Sequence, residues 1–271
     1  MSEYLLSTSG LTKQFGHHKA VNNVDLHVKK GAIYGFIGRN GAGKTTFLKM
    51  ISGLSKPTDG EIQMFGYRNE ELKNVRSRIS CLIEAPGIYG NMSAYHNLAI
   101  KCRLFGINDS KYIENILKIV GLSEVGKKKT KHFSLGMKQR LGIGLALVGE
   151  PDLLVLDEPI NGLDPQGIAE IRDMLLRLKE EQNMTIIISS HILEELSKIA
   201  THYGIIHNGS LIQELTREEL MTRCSERMEL TLDDPKAALP ILDQMGFTNY
   251  QVVNQSTIHI YERLNESAAV N

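Results

Sequence analysis

Tryptophan is absent from the chain, cysteine occurs three times and proline seven. No apolar run approaches the ~20 residues that a membrane-crossing helix needs. The most apolar stretches, residues 153–156 and 186–188, are short enough for buried strands. Cys81, Cys102 and Cys224 lie far apart, with the spacing of neither a metal site nor a disulfide framework. This fits a reducing compartment, with all three as small hydrophobes in or near the core. Neither charge sign is in excess, because 31 Lys+Arg balance 31 Asp+Glu. That excludes a globally basic nucleic-acid binder and an acidic tail. Met1-Ser2-Glu3-Tyr4 lacks the basic and then apolar segments of a signal peptide, so none is expected. Repeats and low-complexity tracts are missing too, which sets aside solenoids and propellers. What is present is ordinary: 271 residues, 42% hydrophobic and 23% charged. Such a chain forms one large domain, or one with a small appendage, and needs no covalent staple.

Residues 1–85 read as short strands and turns around one helix that begins near Lys44. Between about 93 and 145 the pattern turns helical, with Ser93 and Ser110 as expected N-caps and Gly106 and Gly121 as stops. From 151 to 209 apolar strands alternate with helical periodicity, the signature of βαβ units and a parallel sheet. Residues 153–156 and 185–188 are continuous rather than alternating in pattern, as strands buried on both faces should be. Residues 216–226 read as a polar helix. A strand at 228–232, a helix near 236–245 and a strand at 258–261 then predict a small β-α-β appendage.

Gly38-Arg39-Asn40-Gly41-Ala42-Gly43-Lys44-Thr45 fits the phosphate-loop pattern G-x-x-x-x-G-K-[ST] and follows the strand Ile33-Tyr34-Gly35-Phe36-Ile37. Glycines let successive N–H groups converge on a phosphate, and the next helix offers its positive N-terminus. Lys44 is expected to reach the β- and γ-phosphates, and the Thr45 hydroxyl to ligate Mg²⁺. A second element, Leu153-Leu154-Val155-Leu156-Asp157-Glu158-Pro159, ends a buried strand. In P-loop folds a carboxylate here holds Mg²⁺, the role expected of Asp157. Strand alternation predicts that Glu158 points the other way, where it would polarise the water attacking the γ-phosphate. His191, just past the strand ending Ile188-Ser189-Ser190, falls on the ligand-binding edge of the sheet and is expected to contact the γ-phosphate.

Two further segments complete a resemblance. Phe133-Ser134-Leu135-Gly136-Met137-Lys138-Gln139-Arg140 looks like a signature motif whose usual form is Leu-Ser-Gly-Gly-Gln. Phe133, Leu135 and Met137 depart from that form, while Ser134 and Gly136 stand. Taken alone, Ser134 is a good N-cap for a helix whose Leu141, Leu145 and Val148 share one face. Asn161-Gly162-Leu163-Asp164-Pro165 is similar to the D-loop. With the phosphate loop, the Asp-Glu strand and His191, these resemble the nucleotide-binding subunit of ABC transporters over roughly residues 5–215.

The resemblance implies an α/β fold: a P-loop NTPase core with a parallel sheet, an antiparallel β part and a helical subdomain at about 88–148. That domain would span 1–215, with a small C-terminal α+β appendage at 216–271. It implies a Mg-dependent ATPase that binds ATP through residues 38–45 and Thr46. It also implies a head-to-tail dimer in which Ser134, Gly136 and Asp164 of one copy meet the nucleotide of the other. Phe15 matches the aromatic that stacks on adenine, although by itself it would be read as core. Glu84 stands where the family carries a glutamine, and it joins the expected nucleotide and Mg²⁺ ligands. This substitution resembles the exporters that protect lantibiotic producers, and the bacitracin-resistance exporters are similar overall.

The partners implied are separate membrane-spanning permease subunits, with this chain peripheral on the cytoplasmic face of the membrane. Pro86, Ile88 and Tyr89 are expected to line the docking groove. The basic run Lys127-Lys128-Lys129-Thr130-Lys131 reads as a solvated connector rather than a headgroup-binding patch. The competing reading is a soluble ABC-type ATPase acting on ribosomes or DNA. It lacks support here, since there is one phosphate loop, no sustained heptad pattern and no net basic charge. A P-loop GTPase is disfavoured by the absence of an Asn-Lys-x-Asp element.

Overall fold

The computed structural model describes residues 4–223, 228–254 and 256–261. Cys224 lies outside them, as do Met1-Ser2-Glu3 and the end of the helix expected at 216–226. The chain forms two compact units, Met1–Arg217 and Glu218–Asn271.

The first unit opens with two long strands, β1 (Tyr4–Phe15) and β2 (His18–Lys29). Val24, Leu26 and Val28 are buried while the residues between them are exposed, the pattern of a strand wet on one face. β3 (Ile33–Ile37) runs into the phosphate loop and α1 (Lys44–Ile51). β4 (Asp59–Met64) and β5 (Tyr67–Arg68) complete an antiparallel sheet of order β2-β1-β4-β5. After β6 (Ile79–Leu82) come three helices, α2 (Ala94–Leu104), α3 (Ser110–Ile119) and α4 (Leu135–Leu147). The chain then runs through β7 (Leu153–Asp157), α5 (Pro165–Gln182), β8 (Thr185–Ser190), α6 (Leu193–Ser197), β9 (His202–His207) and β10 (Ser210–Thr216).

These strands make a six-stranded sheet of order β10-β9-β3-β8-β7-β6, parallel except for β10. Every residue of β7 and β8 is buried, which accounts for the apolar runs 153–156 and 186–188 within them. The main core joins the two sheets through α1, where Phe47 packs on Phe36 with ring centroids 4.9 Å apart. A polar stitch ties β2, β3 and β10. Tyr34 Oη donates to Glu214 Oε1 at 2.6 Å, and the His27 N–H donates to the same oxygen at 2.9 Å.

Ser93 caps α2 by accepting from the His96 N–H at 3.2 Å. Ser110 is not the cap of α3. Asp109 accepts from the Lys111 N–H at 2.9 Å, so Ser110 becomes the first helical residue. A carboxylate at the positive helix end makes a charge-assisted cap, and it takes the position from its neighbour. The single apolar face expected for α4 is also corrected. Leu141, Gly142, Ile143, Gly144, Ala146 and Leu147 are all buried, Leu145 only half so, and Val148 lies beyond the helix. The helix is wrapped on most sides because α2, α3, α5 and β6 all pack on it.

From α7 (Arg217–Arg223) the chain enters the second unit: β11 (Met228–Thr231), α8 (Pro235–Gln244), β12 (Tyr250–Val252) and β13 (Thr257–Ile260). Asp234 caps α8 by accepting from the Lys236 and Ala237 N–H groups, with Pro235 at the first helical position. The sheet is antiparallel with order β11-β13-β12, so the last strand inserts between the other two. The short β12 makes the topology β-α-β-β rather than β-α-β. Leu242, Phe247, Ile258 and Ile260 form the core of this unit.

Candidate nucleotide-binding site

The site forms at the carboxyl ends of β3, β7 and β8, where an open parallel sheet receives its ligand. The loop after β3 is folded tightly onto its surroundings. The Gly38 N–H donates to Ser190 O at 3.2 Å, and the Gly209 N–H donates to Ala42 O at 3.0 Å. Gly43 stands at φ 105°, and a Cβ there would strike the Ala20 carbonyl, so this position accepts no other residue without displacement. Arg39, Asn40 and Gly41 are exposed at the tip, and Thr46 is half-buried in the first turn of α1.

Lys44 is buried at 5% exposure. Its ammonium donates to Gly38 O at 2.6 Å and to Arg39 O at 3.3 Å, and it lies 3.1 Å from Glu158 Oε1. Glu158 continues the chain of charge, with its Oε2 2.9 Å from His191 Nδ1. The Thr45 hydroxyl donates to Asp157 Oδ2 at 2.7 Å, and Asp157 Oδ1 accepts from the Ser189 hydroxyl at 2.5 Å. A hydroxyl and a carboxylate side by side are the hard oxygen donors that Mg²⁺ takes, with phosphate and water completing its shell.

The two acids do not obey strand alternation. β7 ends at Asp157, and Glu158 has left it in a left-handed conformation with φ 47°. Both carboxylates therefore face the start of α1, Asp157 on Thr45 and Glu158 on Lys44. Ser189 is the residue that sequence reasoning missed. It is wholly buried, and its oxygen both donates to Asp157 and accepts from the Glu158 N–H at 2.9 Å. The sequence signals only that a hydroxyl near the end of a buried strand needs a partner; which partner is set by the pairing of β7 with β8.

Glu84 is not part of this cluster. It follows β6 at φ 64°, 67% exposed, and its Oε1 accepts from Lys49 Nζ at 2.6 Å. The lysine holds the carboxyl below its ordinary pKa, by hydrogen bond first and by charge second. Phe15 is 55% exposed, with Lys13 Nζ 5.1 Å from the ring centroid. It ends β1 at a hairpin tip rather than in the core.

Ser134 caps α4, accepting from the Met137 N–H at 3.2 Å, and Asp164 caps α5, accepting from the Gly167 N–H at 3.0 Å. Ser134, Gly136 and Asp164 line one surface cavity, which no phosphate-loop residue lines. Leu135, at 51% exposure, stands at its wall, whereas Phe133 is buried. Pro86 and Tyr89 line a separate groove with Cys81, Leu104 and Leu145; Ile88 does not. The basic run is exposed except for Thr130, whose N–H donates to Met92 O at 2.9 Å.

A parallel sheet edged by a phosphate loop, a serine-held aspartate and a lysine–glutamate–histidine chain defines a P-loop nucleoside triphosphatase. Sequence comparison narrows that class. The pattern of the family described as ABC transporter matches residues 21–161. The bacitracin transport ATP-binding protein BcrA of Bacillus licheniformis is 44% identical over 271 residues, 98% of this chain and 88% of that protein. The lantibiotic transport ATP-binding protein SrtF of Streptococcus pyogenes is 43% identical over 210 residues, 78% of this chain and 90% of that protein. A nucleotide-free ATP-binding cassette from an ABC transporter has a TM-score of 0.73 at 27% identity, over 82% of this chain and 96% of that one. The chain belongs to the ABC transporter family, as an ATP-binding and ATP-hydrolysing subunit. Among the described residues no helix is long and apolar enough to cross a membrane.

Proposed function

We propose that this subunit powers export of an antimicrobial peptide of the bacitracin or lantibiotic kind, through permease subunits on separate chains. The observation that carries the cargo class is the 44% identity to a bacitracin transport protein over 98% of the chain, which includes the second unit. Glu84 in the place of the family's glutamine resembles the lantibiotic exporters and is consistent with this class. The protein would work at the cytoplasmic face of the membrane, with the permease seated in the groove lined by Pro86 and Tyr89.

In this reading the loop N–H groups of residues 38–45 and Thr46 cradle the phosphates of ATP, and Phe15 offers its exposed ring to adenine. Lys44 exchanges its two loop carbonyls for phosphate oxygens. Thr45 and Asp157 hold Mg²⁺, which supplies charge stabilisation for the phosphoryl group in transfer. Glu158 orients the attacking water and accepts its proton. His191 steadies the Glu158 carboxylate and adds a donor toward the γ-phosphate. Ser134, Gly136 and Asp164 act across a head-to-tail dimer on the nucleotide of the second copy. Support for that division is that no phosphate-loop residue of the same chain lines the cavity that Ser134, Gly136 and Asp164 share.

The test is expression with the cognate permease in a peptide-sensitive host, with the minimal inhibitory concentrations of bacitracin and a lantibiotic as readout. Tolerance to one of them should rise, and Lys44→Ala should return it to the host level. Tolerance unaltered for both peptides would remove the cargo assignment.

A further inference from the structure

Glu84 carries the one carboxylate expected at the cation that the structure places elsewhere. It is held by Lys49, which lies on α1 four residues after Thr45 and so on the same helix face, one turn further along. The pair is close at 2.6 Å, and both partners are accessible, Lys49 at 36% and Glu84 at 67%. Thr45 meanwhile is bound to Asp157. The carboxylate is thus held by a lysine whose place on α1 is one helical turn from Thr45, beside whose hydroxyl a divalent cation would sit. An amide at position 84 would be neutral and would attract an ammonium only weakly. A carboxylate is both a stronger cation ligand and a stronger captive of lysine.

We propose that Lys49 is a positioning residue that competes with the divalent cation for Glu84 and so sets the cation concentration at which the site is completed. This rests on the reading that Thr45 and Asp157 hold the cation. The competition follows from population arithmetic: an apparent affinity falls by the fraction of molecules in which the ligand group is free. An exposed ion pair is a modest competitor, so the effect on affinity is about two- to five-fold. The low cost of releasing the pair suits a ligand that must move, whereas a buried pair would trap it.

The experiment is titration of the full-length Glu158→Gln protein, loaded with ATP, with Mn²⁺ in place of Mg²⁺. Loss of the free-ion EPR signal reports binding without any need for turnover. Lys49→Met should tighten Mn²⁺ binding about two- to five-fold, and Lys49→Arg should leave it at the parent value. In a Glu84→Gln background Lys49→Met should change nothing. Equal tightening in that background would show that Lys49 acts on the cation by its own charge, and would overturn the proposal. Unchanged binding in Lys49→Met with Glu84 intact would also overturn it. Asp157→Asn separates the two levels of the argument. If it leaves Mn²⁺ binding intact, the cation site itself is misassigned; if it weakens binding while Lys49 has no effect, only the competition is refuted.

Discussion

Replacing Ser189 by alanine removes one oxygen and leaves two groups without their partner. The Asp157 carboxylate loses a charge-assisted bond of 2.5 Å, and the Glu158 N–H loses its acceptor at 2.9 Å. Hydrogen bonds to charged groups contribute about 1.5–3 kcal/mol, and a buried donor left unpaired costs about 1–3 kcal/mol. Thr45 still holds the other carboxylate oxygen, so the losses overlap. A destabilisation of about 2–4 kcal/mol is expected. Urea denaturation of the full chain should show it as a lower midpoint for the transition of the first unit, while the second unit, a separate compact unit, keeps its own. Mg²⁺ affinity of the ATP-loaded protein should fall as well, because Asp157 gains freedom to leave Thr45. A midpoint shift worth less than about 0.5 kcal/mol, the size of an ordinary surface substitution, would refute the reasoning.

Gly43→Ala should abolish ATP binding, measured with a fluorescent analogue, because the added Cβ meets the Ala20 carbonyl at φ 105°. Asp164→Ala removes the cap of α5 and should lower stability by about 1 kcal/mol by thermal denaturation. The phenol of Tyr34 is pushed well above its ordinary pKa, first by burial and then by Glu214. Unfolded tyrosine ionises near pH 10, so above that pH the folded state binds more protons and stability falls as pH rises. Tyr34→Phe should therefore flatten the decline above about pH 10 in pH-dependent urea midpoints, and an unchanged slope would contradict it.

Legibility in the sequence followed how local each feature is. The phosphate loop is eight consecutive residues between a strand and a helix, and its pattern was readable in full. β7 and β8 were plain because burial on both faces gives each a run of consecutive apolar residues, 153–156 and 186–188. The orientation of Glu158 was not readable, since it depends on where β7 ends and on a left-handed residue that no propensity favours. Ser189 acquires its role only through the register that sets it beside Asp157 across β7 and β8. The Lys49–Glu84 pair joins residues 35 apart in the chain, on different elements. Phe15 taken by itself reads as core, and only its place at a hairpin tip exposes it. In the second unit β12 is three residues long, too short for alternation to mark.

The measurement that tests the account most directly is ATP turnover by Glu158→Gln under single-turnover conditions, with ATP affinity measured in parallel. Glu158 lies between Lys44 at 3.1 Å and His191 at 2.9 Å, and no other carboxylate is paired with that lysine among the described residues. The account predicts a rate lower by about 10²–10⁴-fold, the usual contribution of a general base, with ATP affinity retained. A turnover rate equal to that of the parent protein would contradict it.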